Sequence, residues 1–164
     1  MKVEKLLKKH KRSLFDCGSS PLNDYLKIRA SQDVKHNFAT VFVVCDEADI
    51  IAGFYTLCAT SLFREVLSGE IKQRLPKYRT IPAILLGRLA VDLKHQGTGL
   101  GGRLLLSAFR KCSNIDLAWS FLVIDAKNER AMAFYSHFGF LSLQDDVHHL
   151  YLPRKTVIET VSGN

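Results

Sequence analysis

The chain is short of the residues that staple small extracellular or metal-bound folds. It has four cysteines in 164 residues, Cys17, Cys45, Cys58 and Cys112, and no two form a C-x-x-C pair. That spacing argues against a disulfide framework or a zinc ribbon, and no metal is expected; free thiols in a reducing compartment are the simpler reading. No Gly-Lys-Ser/Thr occurs, which excludes a nucleotide-hydrolysing P-loop. No apolar run approaches the roughly 20 residues needed to span a membrane, so no membrane partner is expected. The basic start (Lys2, Lys5, Lys8, Lys9, Lys11, Arg12) has no continuous apolar segment behind it and does not read as a secretory signal. A cytoplasmic protein is expected. Linkers, repeats and low-complexity tracts are also lacking, so a single domain over residues 1–164 is predicted, with a mobile tail from about 157.

What is present is an ordinary globular balance, 47% hydrophobic and 24% charged, with a net charge of +7 that favours an anionic partner such as RNA. Ser19, Ser20 and Pro21 read as a helix start, followed by Leu22, Tyr25 and Leu26 at helical spacing. Residues 39–45 and 50–61 read as an antiparallel hairpin. Residues 63–75 read as a helix. Pro76 and Pro82 bracket a loop carrying Lys77, Tyr78 and Arg79. Residues 84–91 form a nearly wholly apolar segment, interrupted by Gly87 and Arg88, that suits a central strand. A helix over 101–112, a strand over 121–126, a helix over 128–138 and a strand over 148–152 complete an α/β chain. It reads as a mixed sheet with helices on both faces.

The densest signal lies between Asp92 and Leu104. Gly97, Gly99, Gly101 and Gly102 crowd into six positions between a strand and a helix. A helix start presents unpaired amides and a partial positive charge, and glycine lets the backbone close around a phosphate. The spacing also satisfies the G-x-G-x-x-G dinucleotide fingerprint, with Asp125 as the acidic partner. That fold, however, opens with this unit and needs more parallel strands than remain here.

The sequence from Gln96 to Gly101 (Gln96, Gly97, Thr98, Gly99, Leu100, Gly101) resembles the Arg/Gln-x-x-Gly-x-Gly/Ala signature of the GCN5-related N-acetyltransferases, the GNAT family. Leu89, Ala90 and Val91 precede it. Asn128, Ala131, Phe134, Tyr135, Phe138, Gly139 and Phe140 follow, in that family's order. The resemblance implies acetyl-CoA bound where two central parallel strands, 84–91 and 121–126, splay apart. Its pyrophosphate would lie on the amides of Gln96, Gly97, Thr98, Gly99, Leu100, Gly101 and Gly102. Its pantetheine would pair with Leu89, Ala90 and Val91. Asn128 and Phe134 would be further cofactor contacts, Asn128 having the role of a helix cap as an equal alternative. A closer resemblance runs through nearly the whole chain. It is carried by Phe15, Asp16, Cys17 and Gly18; by Leu22, Asn23, Asp24, Tyr25 and Leu26; by Leu75, Pro76, Lys77 and Tyr78; and by Gly87 to Asp92. It points to the tRNA-acetylating toxins of bacterial toxin–antitoxin modules. The implied substrate is aminoacyl-tRNA, acetylated on its free α-amine. The implied partners are a ribbon-helix-helix antitoxin and a second copy of the chain. A GNAT enzyme acting on a protein N-terminus or small amine, and a silent acetyl-CoA-binding module, are the alternatives.

Tyr135 is the expected catalytic acid, because an ordinary phenol pKa near 10 is close to that of an alkyl thiol; a core aromatic is the alternative. The oxyanion would take an amide near Val91. An α-amine, with a pKa of about 8, needs no strong base. Asp92 and Asp125 are possible helpers, or turn residues. Arg88, in an apolar strand, requires an anionic or carbonyl partner. Lys72, Arg74, Lys77 and Arg79 are the expected phosphate contacts.

Overall fold

The computed structural model describes residues 1–163. The chain gathers into two compact units: Met1–Cys58 with Leu86–Arg110, and Ala59–Leu85 with the chain from Lys111 onward.

In the first unit, strand β1 (Val3–Lys5) pairs antiparallel with β2 (Thr40–Cys45), which pairs antiparallel with β3 (Ile51–Phe63). The hairpin turn places Asp49 at φ 60. Asp46 Oδ1 accepts the Ala48 and Ile50 amides and so closes the turn. The basic start therefore contains an edge strand. Behind it His10 is buried: the Leu7 amide donates to Nδ1, which leaves the proton on Nε2 to be donated to Glu4 at 2.6 Å.

One helical stretch crosses this unit as α1 (Ser20–Asp24), a π-turn (Tyr25–Arg29) and α2 (Ala30–Lys35). Pro21 stands in the first turn and Ser19 at the cap, as expected, but the Ser19 side chain makes no cap bond. Tyr25, Leu26 and Ala30 pack with Phe15, Phe54 and Ala90 in one apolar core. Helix α4 (Leu100–Ser113) buries Leu100, Leu104, Leu105, Ala108, Phe109 and Cys112 at helical spacing. Gly53 seats it: a Cβ there would lie 2.8 Å from Leu104 Cδ1 and 3.1 Å from the Ala90 carbonyl oxygen.

Strand β4 (Thr80–Val91) begins in the second unit, where it pairs in parallel with β5 (Phe121–Asp125) through Ala83↔Phe121, Ile84↔Leu122 and Leu85↔Val123; its residues from Leu86 belong to the first unit. Strand β7 (His149–Pro153) pairs antiparallel with β5 and with the short β6 (Leu141–Ser142). Among the described residues the sheet has seven strands in the order β1-β2-β3-β4-β5-β7-β6. This mixed sheet with helices is the expected fold class.

Three readings are corrected. Residues 63–75 are not one helix. Phe63 ends β3, a 3₁₀ turn covers Arg64–Val66, and Leu67 returns to extended backbone before the one-turn α3 (Gly69–Lys72). Buried Leu67 anchors that break, and Ser68 caps the new helix by accepting the Ile71 amide. Pro82 lies inside β4 rather than bounding a loop. The segment from Val157 is not a free tail: α6 (Arg154–Ser162) packs against β5 and β7, with Val157 fully buried.

Candidate active site

The glycine-rich loop is built by Asp92, which follows β4 and is buried. Its Oδ1 accepts the Lys94 amide and its Oδ2 the Asp16 amide, both at 2.9 Å. Asp92 thus caps a 3₁₀ turn, Leu93–His95, and ties it to the segment around Asp16. The Leu93 amide returns a bond to the Asp16 carbonyl at 2.8 Å. Both Asp92 oxygens accept backbone amides, so the side chain positions this turn. Gln96 completes the frame, because its Nε2 donates to the Val91 carbonyl at 2.9 Å and to the Cys17 carbonyl at 3.1 Å.

Between these clamps and α4 the backbone turns through Gly97 (φ 76) and Gly99 (φ 82). Both are exposed, and a Cβ at either would meet nothing within 4 Å. They therefore serve the left-handed backbone, which disfavours other residues, and not close packing. Thr98 donates its hydroxyl to the His95 carbonyl, which keeps the turn short. Leu100 is buried, while Gly101 and Gly102 stand half-exposed in the first turn of α4. No acidic residue occupies that turn. A helix start leaves its first amides without intrahelical partners and carries a partial positive charge, and no Cβ crowds it at 97 or 99, which suits an anion.

Just upstream, Ala90 is buried in the core and Leu89 and Val91 are half-buried. The Val91 carbonyl already accepts from Gln96, which leaves it one further lone pair. Among the described residues, Arg88 has no hydrogen bond or ion pair to an anion or a carbonyl. Its guanidinium carbon lies 3.6 Å from the centre of the Tyr25 ring. A cation over an aromatic face is an alternative partner that the expectation omitted.

The remaining predicted residues lie in the second unit. Helix α5 (Glu129–His137) starts at Asn128, whose Oδ1 accepts the Ala131 amide at 2.9 Å, and is followed by Gly139 at φ 95. Asn128 is therefore the cap. Tyr135 is 7% exposed, edge-on to Phe134 and Phe140 at 5.1 and 5.6 Å between ring centres. Phe134 and Phe138 pair one turn apart at 5.2 Å. Burial pushes the Tyr135 phenol above its ordinary value of 10, so it is protonated at every physiological pH. That fits a proton donor and disfavours a phenolate base.

Asp125 is exposed, 3.6 Å from His149 Nε2, and His149 Nδ1 lies 3.2 Å from Asp145. Among the described residues, no group of three or more His, Cys, Asp and Glu side chains could hold a metal ion. In the basic stretch, Arg74 meets Glu70 at 3.3 Å while Lys77 and Arg79 are exposed. The positioning roles of Asp16, Cys17 and Gly53 were missed from sequence. Only Gly53 left a trace, as a lone glycine inside an apolar strand.

The family described as the acetyltransferase (GNAT) domain matches residues 37–141. A tRNA-acetylating toxin of Mycobacterium tuberculosis (strain ATCC 25618 / H37Rv) is 35% identical over 143 residues, covering 86% of this chain and 84% of that protein. The solved structure of AtaT complexed with acetyl-methionyl-tRNAfMet superposes with a TM-score of 0.89 at 29% identity, covering 97% of this chain and 98% of that one. A mutant AtaT toxin bound to acetyl-CoA and to the C-terminus of the antitoxin AtaR superposes with a TM-score of 0.82 at 25% identity, covering 99% and 98% of the two chains.

Proposed function

This chain belongs to the GNAT acetyltransferase family, and we propose that it is the toxin of a toxin–antitoxin module that acetylates aminoacyl-tRNA. The observation that carries this reading is the end-to-end likeness to AtaT in complex with its acetylated tRNA. The likeness includes the N-terminal helical stretch and α6, both outside the matched family segment.

The residues support acetyl-CoA as co-substrate. The amides between Gln96 and Gly102 would take the pyrophosphate, and the backbone of 89–91 the pantetheine. Asn128 Nδ2 and Phe134 are further contacts. In the reaction the α-amine nitrogen attacks the thioester carbonyl carbon. The N–C bond forms, the C–S bond breaks, and the sulfur leaves with the bonding electrons. The amine gives its proton to water, and the sulfur takes one from the Tyr135 hydroxyl, which solvent then restores. An α-amine beside an ester is substantially neutral near pH 7, so the lack of a strong base does not obstruct attack. The desolvation that raises the Tyr135 phenol raises a thiolate leaving into the same surroundings, which keeps donor and acceptor matched. A blocked α-amine cannot accept a peptide, and translation stops.

The protein is proposed to work in the cytoplasm as a homodimer, neutralised by an antitoxin of the ribbon-helix-helix type. The complex of AtaT with the C-terminus of AtaR supports the antitoxin as partner. The experiment is a reconstituted translation reaction. Adding the protein with acetyl-CoA is expected to stop synthesis, and omitting acetyl-CoA is expected to restore it. Inhibition that ignores acetyl-CoA would overturn the reading.

A further inference from the structure

In the second unit, residues 76–80 are exposed throughout. They are nonetheless held in place. The Arg64 guanidinium donates to the Lys72 carbonyl at 2.7 Å and to the Pro76 carbonyl at 3.1 Å. The Arg64 amide donates to the Arg79 carbonyl at 2.9 Å, and the Tyr78 amide to the Pro76 carbonyl at 2.9 Å. One arginine thus fixes both ends of the loop.

That frame presents an unusual set of side chains. Tyr78 is 72% exposed and Phe63 57% exposed. The Arg79 guanidinium carbon lies 5.9 Å from the centre of the Phe63 ring. Lys77 stands beside Tyr78, and among the described residues no ion pair neutralises Lys77 or Arg79. Cations alone would serve a duplex, whose bases are stacked inside and whose phosphates carry the charge. Exposed rings interleaved with cations match a strand whose bases are unpaired: each base offers a face for stacking, and each phosphate a charge. The acceptor end of a tRNA is such a strand.

We infer that Tyr78, Lys77 and Arg79, with Phe63, form a stacking platform for the unpaired 3′ end of the RNA acceptor. Tyr78 stacks on a base, and Lys77 and Arg79 hold the flanking phosphates. The Phe63 ring orients Arg79 while Arg64 keeps the loop rigid. The inference rests on the aminoacyl-tRNA reading and goes beyond it by assigning the contact surface.

The test measures binding of the full-length protein to a fluorescent single-stranded RNA ending in CCA, across a salt series. Tyr78→Ala is expected to weaken binding by roughly five- to a hundredfold, the range of one stacked base. It should leave the salt slope unchanged. Tyr78→Phe, which keeps the ring, is expected to bind nearly as well as the wild type. Lys77→Gln with Arg79→Gln is expected to lower the slope by about one for each phosphate no longer held. All variants should keep the wild-type melting temperature, since these side chains are exposed. Oligonucleotide binding by Tyr78→Ala equal to wild type overturns the platform. So does a loss confined to antitoxin binding, which would assign this face to a protein partner. If the wild type acetylates no aminoacyl-tRNA yet shows the Tyr78-dependent RNA binding, the functional reading falls and the platform stands.

Discussion

Arg88 lays its guanidinium carbon 3.6 Å from the centre of the Tyr25 ring, and the Tyr25 hydroxyl donates to Asp33 Oδ2 at 2.8 Å. A cation on a central strand is thereby tied through one ring to a carboxylate on α2. The contact locks the π-turn that Tyr25 begins onto β4. Arg88→Met keeps the aliphatic stem and removes the charge. It is expected to lower unfolding free energy by about 1–2 kcal/mol, measured by urea denaturation. Arg88→Lys is expected to recover part of it. A Met variant as stable as the wild type would show that the ring contact contributes nothing.

Gly99→Asp is expected to abolish acetyl-CoA binding, because it places a carboxylate where phosphate must approach. Gly99→Asn is the informative control, since asparagine tolerates the positive φ of 82 and carries no charge. Calorimetry is expected to show much weaker binding for Asp than for Asn. Equal affinities would mean that backbone strain, rather than the anion site, accounts for the loss. Gly101→Asp, inside the first turn of α4, is expected to behave like Gly99→Asp.

Gln96→Leu removes the side chain that bridges the Val91 and Cys17 carbonyls. Leaving two carbonyls unpaired costs about 1–3 kcal/mol each where they are buried, less where water reaches them. The loop should loosen. Faster amide hydrogen exchange across residues 93–99, with a severalfold rise in the acetyl-CoA dissociation constant, is the expected outcome. Unchanged exchange would contradict the clamp.

Burial pushes the Cys112 thiol up to about 12. The native state therefore holds this proton more tightly than the unfolded chain, whose thiol ionises near about 8.5. The contribution is fully present below that pH and is lost as pH rises toward 12. Unfolding free energy is expected to fall between pH 8.5 and 10, and Cys112→Ala to flatten the slope. The same slope in both proteins would assign it to other groups.

How much of this was legible in the sequence depended on where the information sits. The hairpin, α4, α5 with its Asn128 cap, and the glycine turn were readable because local periodicity and turn chemistry specify them. The Phe63–Leu75 stretch was misread because its apolar residues are spaced for a helix, yet Leu67 is claimed by a core with partners far along the chain. The C-terminal helix was missed for a similar reason: Val157 is one apolar residue whose burial depends on α6 reaching β5 and β7. Around the candidate site, the glycine turn could be read locally, whereas the Asp16, Cys17, Asp92 and Gln96 clamp joins segments nearly 80 residues apart, and no local pattern encodes it.

Tyr135→Phe removes one hydroxyl from a packed ring. It is expected to lower the acetyl-transfer rate by about a hundredfold to ten-thousandfold while leaving acetyl-CoA affinity nearly intact. With the phenol raised by burial, wild-type activity should show no loss from its ionisation below about pH 10. A fully active Phe variant would make Tyr135 structural.

The most direct measurement is transfer of labelled acetyl from acetyl-CoA to purified aminoacyl-tRNAs. The products are digested with ribonuclease and resolved as acetyl-aminoacyl-adenosine. Uncharged tRNA, free amino acids and lysine-rich peptides serve as competing acceptors. The account predicts label on the α-amine of aminoacyl-adenosine, dependent on Tyr135 and absent from uncharged tRNA. Label entering peptides or free amines and never aminoacyl-adenosine would contradict it and leave an acetyltransferase of another substrate class.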